Sequence, residues 1–276
     1  MVLNADSAQV YADLRVLSAR PTTEEMGGIE HRLFGAWDGA IACSAADWAQ
    51  AAKGEILALH AEGAVPILVG GTGLYLRTLL DGIAPVPPIA EDVRRAVRAL
   101  SQEEARAALE REDPDAAARL APKDAARTMR ALEVIRATDR PLAHWQATRG
   151  SGIADFIRLA ATVLLPERDW LFERCDRRFA AMMSDGARDE VERLLARQLD
   201  PSLPVMRAIG VREVADWNAG RTTRQETLAR GQAATRQYAK RQYTWFRNQP
   251  PTSWERLEAE SCYDLALGAL LLRLAA

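Results

Sequence analysis

The chain has 276 residues, 48% of them hydrophobic and 27% charged, with 36 basic against 38 acidic residues. That length can bury a sizeable core, and the composition excludes a disordered, collagenous or disulfide-rich chain. The near-neutral total hides an asymmetry: residues 207–247 hold nine basic and three acidic residues, so one short segment carries a concentrated positive field. Cys43, Cys175 and Cys262 lie far apart and form no CxxC pair or Cys/His cluster. They support neither a disulfide framework nor a zinc site, and they predict a reducing, cytoplasmic setting. No signal peptide is visible and no apolar run reaches the ~18 residues of a membrane span, so no membrane partner is expected.

In chain order, the first element is the strand-like Val2-Leu3-Asn4, followed at once by Asp6 and Ser7. A helical pattern over Ala45–Glu62 leads into a second apolar run, Val65–Val69, and then into Gly70, Gly71 and Gly73 before another helix. Residues 84–90 hold three prolines and cannot continue a helix. They introduce Glu91–Arg136, where ten basic and ten acidic residues are set among strong helix formers. This segment reads as a charge-balanced helical insertion or, equally, as an ordinary helix pair within one domain. The expected division is a core over residues 1–87, an insertion over 88–125 and a second part of the core over 126–276. Thr148–Gly152 reads as a return loop, Ile157–Leu165 as a third strand and Asp169–Leu195 as a helical pattern. Leu265–Ala276 reads as a terminal helix docked on the core. Apolar strands separated by helices predict an α/β class with parallel strands buried on both faces. Its active site belongs at the carboxyl ends of the strands.

Several residues there could carry chemistry. Asp6, directly after the first strand, could bind a metal, act as a general base or simply cap the next helix. The turn Val69-Gly70-Gly71-Thr72-Gly73 could bring backbone N–H groups to a phosphate at a helix N-terminus, although such turns also occur in α/β proteins that bind none. No GxxxxGK[ST] loop occurs in the chain. In Thr235–Arg247, helical spacing places Arg236, Lys240, Tyr243 and Arg247 on one stripe, with Tyr238 and Trp245 opposite and facing the core. A solvated helix face usually mixes signs, whereas no acid occurs between Thr227 and Gln249. The stripe therefore suits a phosphate backbone, with Tyr243 available for stacking. Arg207 and Arg212 flank Gly210, Arg127 and Arg130 lie a turn apart, and Arg174, Arg177 and Arg178 cluster. His31, His60 and His144 share no metal spacing.

The motifs NADSAQVY, EHRLFGAWD, CSAADW, LVGGTGLYL, RALEV, AIGVRE and ATRQYAKRQYTWFR, in this order, resemble the bacterial type of the tRNA dimethylallyltransferase (tRNA isopentenyltransferase) family. The resemblance runs from Val2 to about Arg247. It implies a P-loop NTPase-like parallel sheet core with a helical insertion. The implied activity is transfer of a dimethylallyl group from dimethylallyl diphosphate to the exocyclic amine of the adenosine 3′ to the anticodon, with Mg2+ required and diphosphate released. It implies Asp6 as catalytic base and Arg178 as the arginine that holds the diphosphate. It also implies tRNA contacts at Ser7, Ala8, Gln9, Thr72, Arg94, Arg127, Arg130, Arg207, Arg212, Lys240, Arg241, Tyr243 and Arg247. The partners implied are the tRNA anticodon stem-loop and dimethylallyl diphosphate, with no protein metal ligands named and a monomer expected. The family's opening strand and GPTASGK[ST] loop have no counterpart in this sequence. The core is therefore expected to lack that N-terminal strand and P-loop helix. The alternative reading is a non-catalytic tRNA-binding remnant of the same fold.

Overall fold

Val2–Asn4 (β1) is the middle strand of a parallel sheet, because its neighbours are supplied from two later points in the chain. His31–Arg32 (β2) pairs on one side, Val2 opposite His31, and Ile67–Val69 (β3) pairs on the other, Val2 opposite Ile67 and Asn4 opposite Val69. The crossover to β3 is the helix Ala45–Ala61 (α1), whose start is set by a capping box between Ser44 and Asp47. Trp48 and Leu59 of α1 are fully buried with Leu3 of β1. The Trp48 indole donates to the carbonyl of Asn4 at 2.9 Å and stacks on Tyr75 at 4.6 Å. Tyr75 belongs to the helix Gly73–Asp81 (α2), which begins directly after the glycine turn. In this computed structural model the described residues are 1–147, 150 and 152–258. The docked helix expected at Leu265–Ala276 lies outside them, as does much of the expected loop at Thr148–Gly152.

The chain divides into two compact units, one of Met1–Leu79 with the residues from Phe156 onward, the other Leu80–Asp155. The second is all helical: Glu91–Arg98 (α3), Gln102–Glu112 (α4), Pro114–Arg119 (α5), Ala125–Thr138 (α6) and Leu142–Ala147 (α7). Its helix starts follow from the sequence, with a Ser101/Glu104 capping box for α4, and Asp113 followed by Pro114 for α5. Val97, Leu109, Ala117, Ala131 and Leu132 form its core. This unit is wider than the 88–125 insertion expected from the sequence and takes in α6, because Ala131 and Leu132 pack with α3 and α4 rather than elsewhere.

In the first unit the chain resumes with Thr162–Leu164 (β4), then Arg168–Ser184 (α8), Ala187–Ala196 (α9), Val211–Asn218 (α10), Arg224–Asn248 (α11) and Glu255–Leu257 (β5). The helical pattern over Asp169–Leu195 is realised as two helices, α8 and α9, divided where Gly186 takes a φ of 102° that only glycine adopts without strain. The strand expected over Ile157–Leu165 shrinks to β4, and among the described residues it pairs in parallel with β5 rather than with β1–β3. The α/β class with parallel pairing stands. Glu190 of α9 is buried, and its carboxylate accepts the N–H groups of Arg15, Val16 and Leu17 at 2.7–2.9 Å. That bond set ties the segment after β1 to the helical layer.

Candidate functional site

The carboxyl end of β1 is built by the strand's own last residue. Asn4, fully buried, accepts the Asp6 N–H at 2.9 Å with its side-chain oxygen and donates its amide to the carbonyls of Asp6 and Leu33. The backbone of Asp6 is thus clamped from both sides. Asp6 in turn accepts the N–H of Ala8 at 2.8 Å and of Gln9 at 3.3 Å, both through Oδ1. Capping engages one oxygen alone: among the described residues no hydrogen bond engages Oδ2. The Gln9 side chain is committed to the carbonyls of Ser18 and Ala19.

Beside Asp6 lies a cluster of hydroxyls. Thr72 Oγ1 accepts the Ser7 N–H at 2.9 Å and donates to Ser7 Oγ at 3.2 Å. Tyr238 of α11 stands against this cluster: burial first, then the Asp6 carboxylate, pushes its phenol up from the ordinary value, while the Thr72 and Ser7 hydroxyls act in the other direction. Tyr238 and Trp245 both face inward, and what Tyr238 meets there is polar.

The glycines before α2 have a different reason from phosphate approach. A Cβ on Gly70 would lie 2.7 Å from the Cα of Ala5, one on Gly71 would meet the Gln242 amide, and one on Gly73 would enter the Trp245 ring. Gln242 also donates to the Gly71 carbonyl at 3.0 Å. Helix α11 therefore docks on the turn through Tyr238, Gln242 and Trp245, at i, i+4 and i+7. That spacing was visible in the sequence, although its partner was not.

The opposite face of α11 carries Lys240 and Arg247. Lys240, Arg241 and Arg247 are exposed and join no ion pair among the described residues, while the Arg241 guanidinium lies over the Tyr238 ring, 5.5 Å from its centroid. Arg236, read as part of this stripe, is instead held by both oxygens of Asp176 at 2.6 Å. Tyr243 has the Arg168 guanidinium over its ring at 5.0 Å, and these two residues line a shallow recess with Leu171, Phe172 and Lys240. The crossing of α11 with α8 is close because Gly231 leaves room for the buried Phe179. Arg178, one residue before Phe179 on α8, is exposed and likewise without an ion pair among the described residues. Arg207 and Arg212 stand exposed on either side of Gly210, whose φ of 94° turns the chain into α10. In the helical unit, among the described residues, Arg94, Arg127 and Arg130 make long i,i+3 pairs of 3.5–3.8 Å with Glu91, Asp124 and Glu133, of the weak exposed kind that a phosphate can displace.

A model of the IPP transferase family matches residues 9–249, which include the hydroxyl cluster's Thr72 and Tyr238 and all of α11. The chain belongs to this family. As a family member it is 67% identical over 258 residues to a tRNA dimethylallyltransferase of Erythrobacter litoralis, covering 94% of this chain and 81% of that one. Its identity to a tRNA dimethylallyltransferase of Novosphingobium aromaticivorans is 62% over 274 residues, 99% and 98% of the two chains. Among solved structures, the full-length tRNA isopentenylpyrophosphate transferase of Bacillus halodurans matches with a TM-score of 0.67 at 31% identity, covering 99% of this chain and 89% of that one. In this IPP transferase, no group of three or more His, Cys, Asp or Glu residues able to hold a metal ion occurs among the described residues. None of its described helices is long and apolar enough to cross a membrane.

Proposed function

We propose that this chain transfers a dimethylallyl group from dimethylallyl diphosphate to the exocyclic amine of the adenosine 3′ to the anticodon of tRNA. The observation that carries the reading is the division of labour at Asp6. One oxygen is fixed by two backbone amides and the other is left to take a proton. An adenine amine is a weak nucleophile, because its lone pair is delocalised into the ring. As its nitrogen bonds to the prenyl carbon, the carbon–oxygen bond to diphosphate breaks and the leaving group carries off the electron pair. The amine proton passes to Asp6 Oδ2, a role worth about 10²–10⁴-fold.

The leaving group's charge must be neutralised. Arg178 is assigned to the diphosphate, which its exposure and lack of an ion pair among the described residues support. A diphosphate chelates magnesium by itself. Mg2+ is therefore assigned to the donor, as part of the substrate. The anticodon stem-loop is assigned to Ser7, Ala8, Gln9 and Thr72 around the acceptor base and to Arg207, Arg212, Lys240, Arg241, Tyr243 and Arg247 along the backbone. Arg94, Arg127 and Arg130 add contacts from the helical unit. The reading takes the enzyme to be a cytoplasmic monomer.

The test is incubation of the chain with an unmodified anticodon stem-loop, magnesium and labelled dimethylallyl diphosphate. Label should appear on the RNA, and Asp6→Asn should slow transfer by about 10²-fold or more while leaving stem-loop affinity nearly unchanged. Binding without transfer would return the non-catalytic alternative, and equal losses of rate and affinity in Asp6→Asn would remove the base assignment.

A further inference from the structure

Tyr238 is the part of the site to which neither the resemblance nor the reaction gives a role. Three observations fix where it stands. Helix α11 is locked onto the glycine turn by the Gln242 bond to the Gly71 carbonyl and by Trp245 against Gly73. The Ser7 and Thr72 hydroxyls are bonded to each other at 3.2 Å, with Thr72 also holding the Ser7 N–H. Tyr238 stands one turn before Gln242 on this docked face of α11, where Asp6, Thr72 and Ser7 all act on its phenol, and the Arg241 guanidinium lies over its ring, 5.5 Å from the centroid.

We propose that Tyr238 completes a hydroxyl cluster which, together with Asp6, reads the edge of the acceptor base as adenine. The inference rests on the prenyl-transfer reading above. Asp6 Oδ2 is an acceptor only, and a hydroxyl can donate. An acceptor beside a donor complements adenine, whose amine donates next to a ring nitrogen that accepts: N1 on one edge, N7 on the other. Guanine would place the O6 acceptor against the carboxylate, so its rejection follows from the same arrangement. Thr72 already spends its proton on Ser7. A third hydroxyl lets the cluster satisfy itself and still present one proton to the base. The phenol keeps its proton, because burial disfavours phenolate, so the donor persists throughout the working pH range. The site is then of the kind that discriminates by leaving polar groups unpaired in the wrong complex. Tyr238 acts here as a positioning and specificity residue, and Asp6 remains the base.

The experiment compares the wild-type chain and Tyr238→Phe on four stem-loops that differ only at the acceptor: adenosine, 1-deazaadenosine, 7-deazaadenosine and guanosine. Transfer by the wild-type chain on adenosine tests the underlying reading by itself. If it occurs, one of the two deaza acceptors should slow wild-type transfer about tenfold, the scale of one lost hydrogen bond. Tyr238→Phe should be about tenfold slower on adenosine at saturating RNA, with stem-loop affinity unchanged, and it should show no further loss on that same deaza acceptor. A merely structural tyrosine would lower rates on all acceptors alike and leave the deaza penalty in place, which overturns the proposal. So does a wild-type chain indifferent to both deaza acceptors.

Discussion

Replacing Gly73 by Ala asks what the glycines after β3 are for. Gly73 is the first residue of α2 and its backbone does not occupy the left-handed region, so an alanine there gains about 0.5–1 kcal/mol in helix propensity. Against this, the added Cβ would sit 2.5 Å from Cε2 of Trp245, and closer still to Cδ2 and Cε3. Carbon atoms settle at about 3.5–4.0 Å, so α2 and α11 must part by about 1 Å. Overpacking of that kind costs about 1–3 kcal/mol. The net loss is about 1–2 kcal/mol, or a fall of about 4 °C in Tm. The same displacement moves Tyr238 away from Asp6, and a misplacement of about 1 Å can cost about 10²-fold in rate. The assays are the urea midpoint of unfolding and the transfer rate at saturating substrates. In a Trp245→Ala background, which removes the ring atoms in conflict, Gly73→Ala should cost less of both, with a coupling of about 0.5–3 kcal/mol in the double-mutant cycle. A Gly73→Ala chain as stable and as active as its parent would show that helix contact does not exclude the side chain.

Lys240→Ala with Arg247→Ala should weaken stem-loop binding and lower the slope of log affinity against log salt by about 0.7–0.9 per lost phosphate contact; an unchanged slope would mean that this face is only solvated. Arg236→Ala should leave that slope alone, since Asp176 already holds its guanidinium, and should cost roughly 0.5–1 kcal/mol of stability for a half-exposed pair. A slope change equal to that of Lys240→Ala would place Arg236 on the RNA. Glu190→Ala strands the N–H groups of Arg15, Val16 and Leu17 and should cost about 3 kcal/mol in denaturant unfolding; a change below about 0.5 kcal/mol would mean that water replaces the carboxylate.

The sequence displayed what local chemistry dictates. Ser44 with Asp47, Ser101 with Glu104 and Thr223 with Glu226 are three-residue spacings, and each starts a helix as a capping box. The acid-free face of α11 could likewise be read from its period. The hidden features depend on partners far along the chain. Arg236 looks identical to Lys240 as a cation on a stripe, and only Asp176, 60 residues away, distinguishes them. The glycines at 70, 71 and 73 read as room for a ligand, whereas Ala5, Gln242 and Trp245 take that room. Tyr238 passed for a core residue because periodicity places a side chain inward without saying whether it meets hydrocarbon or hydroxyls. The short β4 joined β5 for the same reason, since an apolar run carries no register for its partner.

Helix α11 holds 25 residues, about 37 Å at the standard rise, and bears both the free cations and the side chains seated on the glycine turn. On the prenyl-transfer reading proposed above, RNA that grips the outer face presses on the same rigid body that carries Tyr238 to the acceptor site, with no hinge between. Remote binding energy is then available to align the reacting atoms. An isolated adenosine nucleotide, however concentrated, would fill the pocket without supplying that force. Shortening the anticodon stem should accordingly depress turnover as well as affinity.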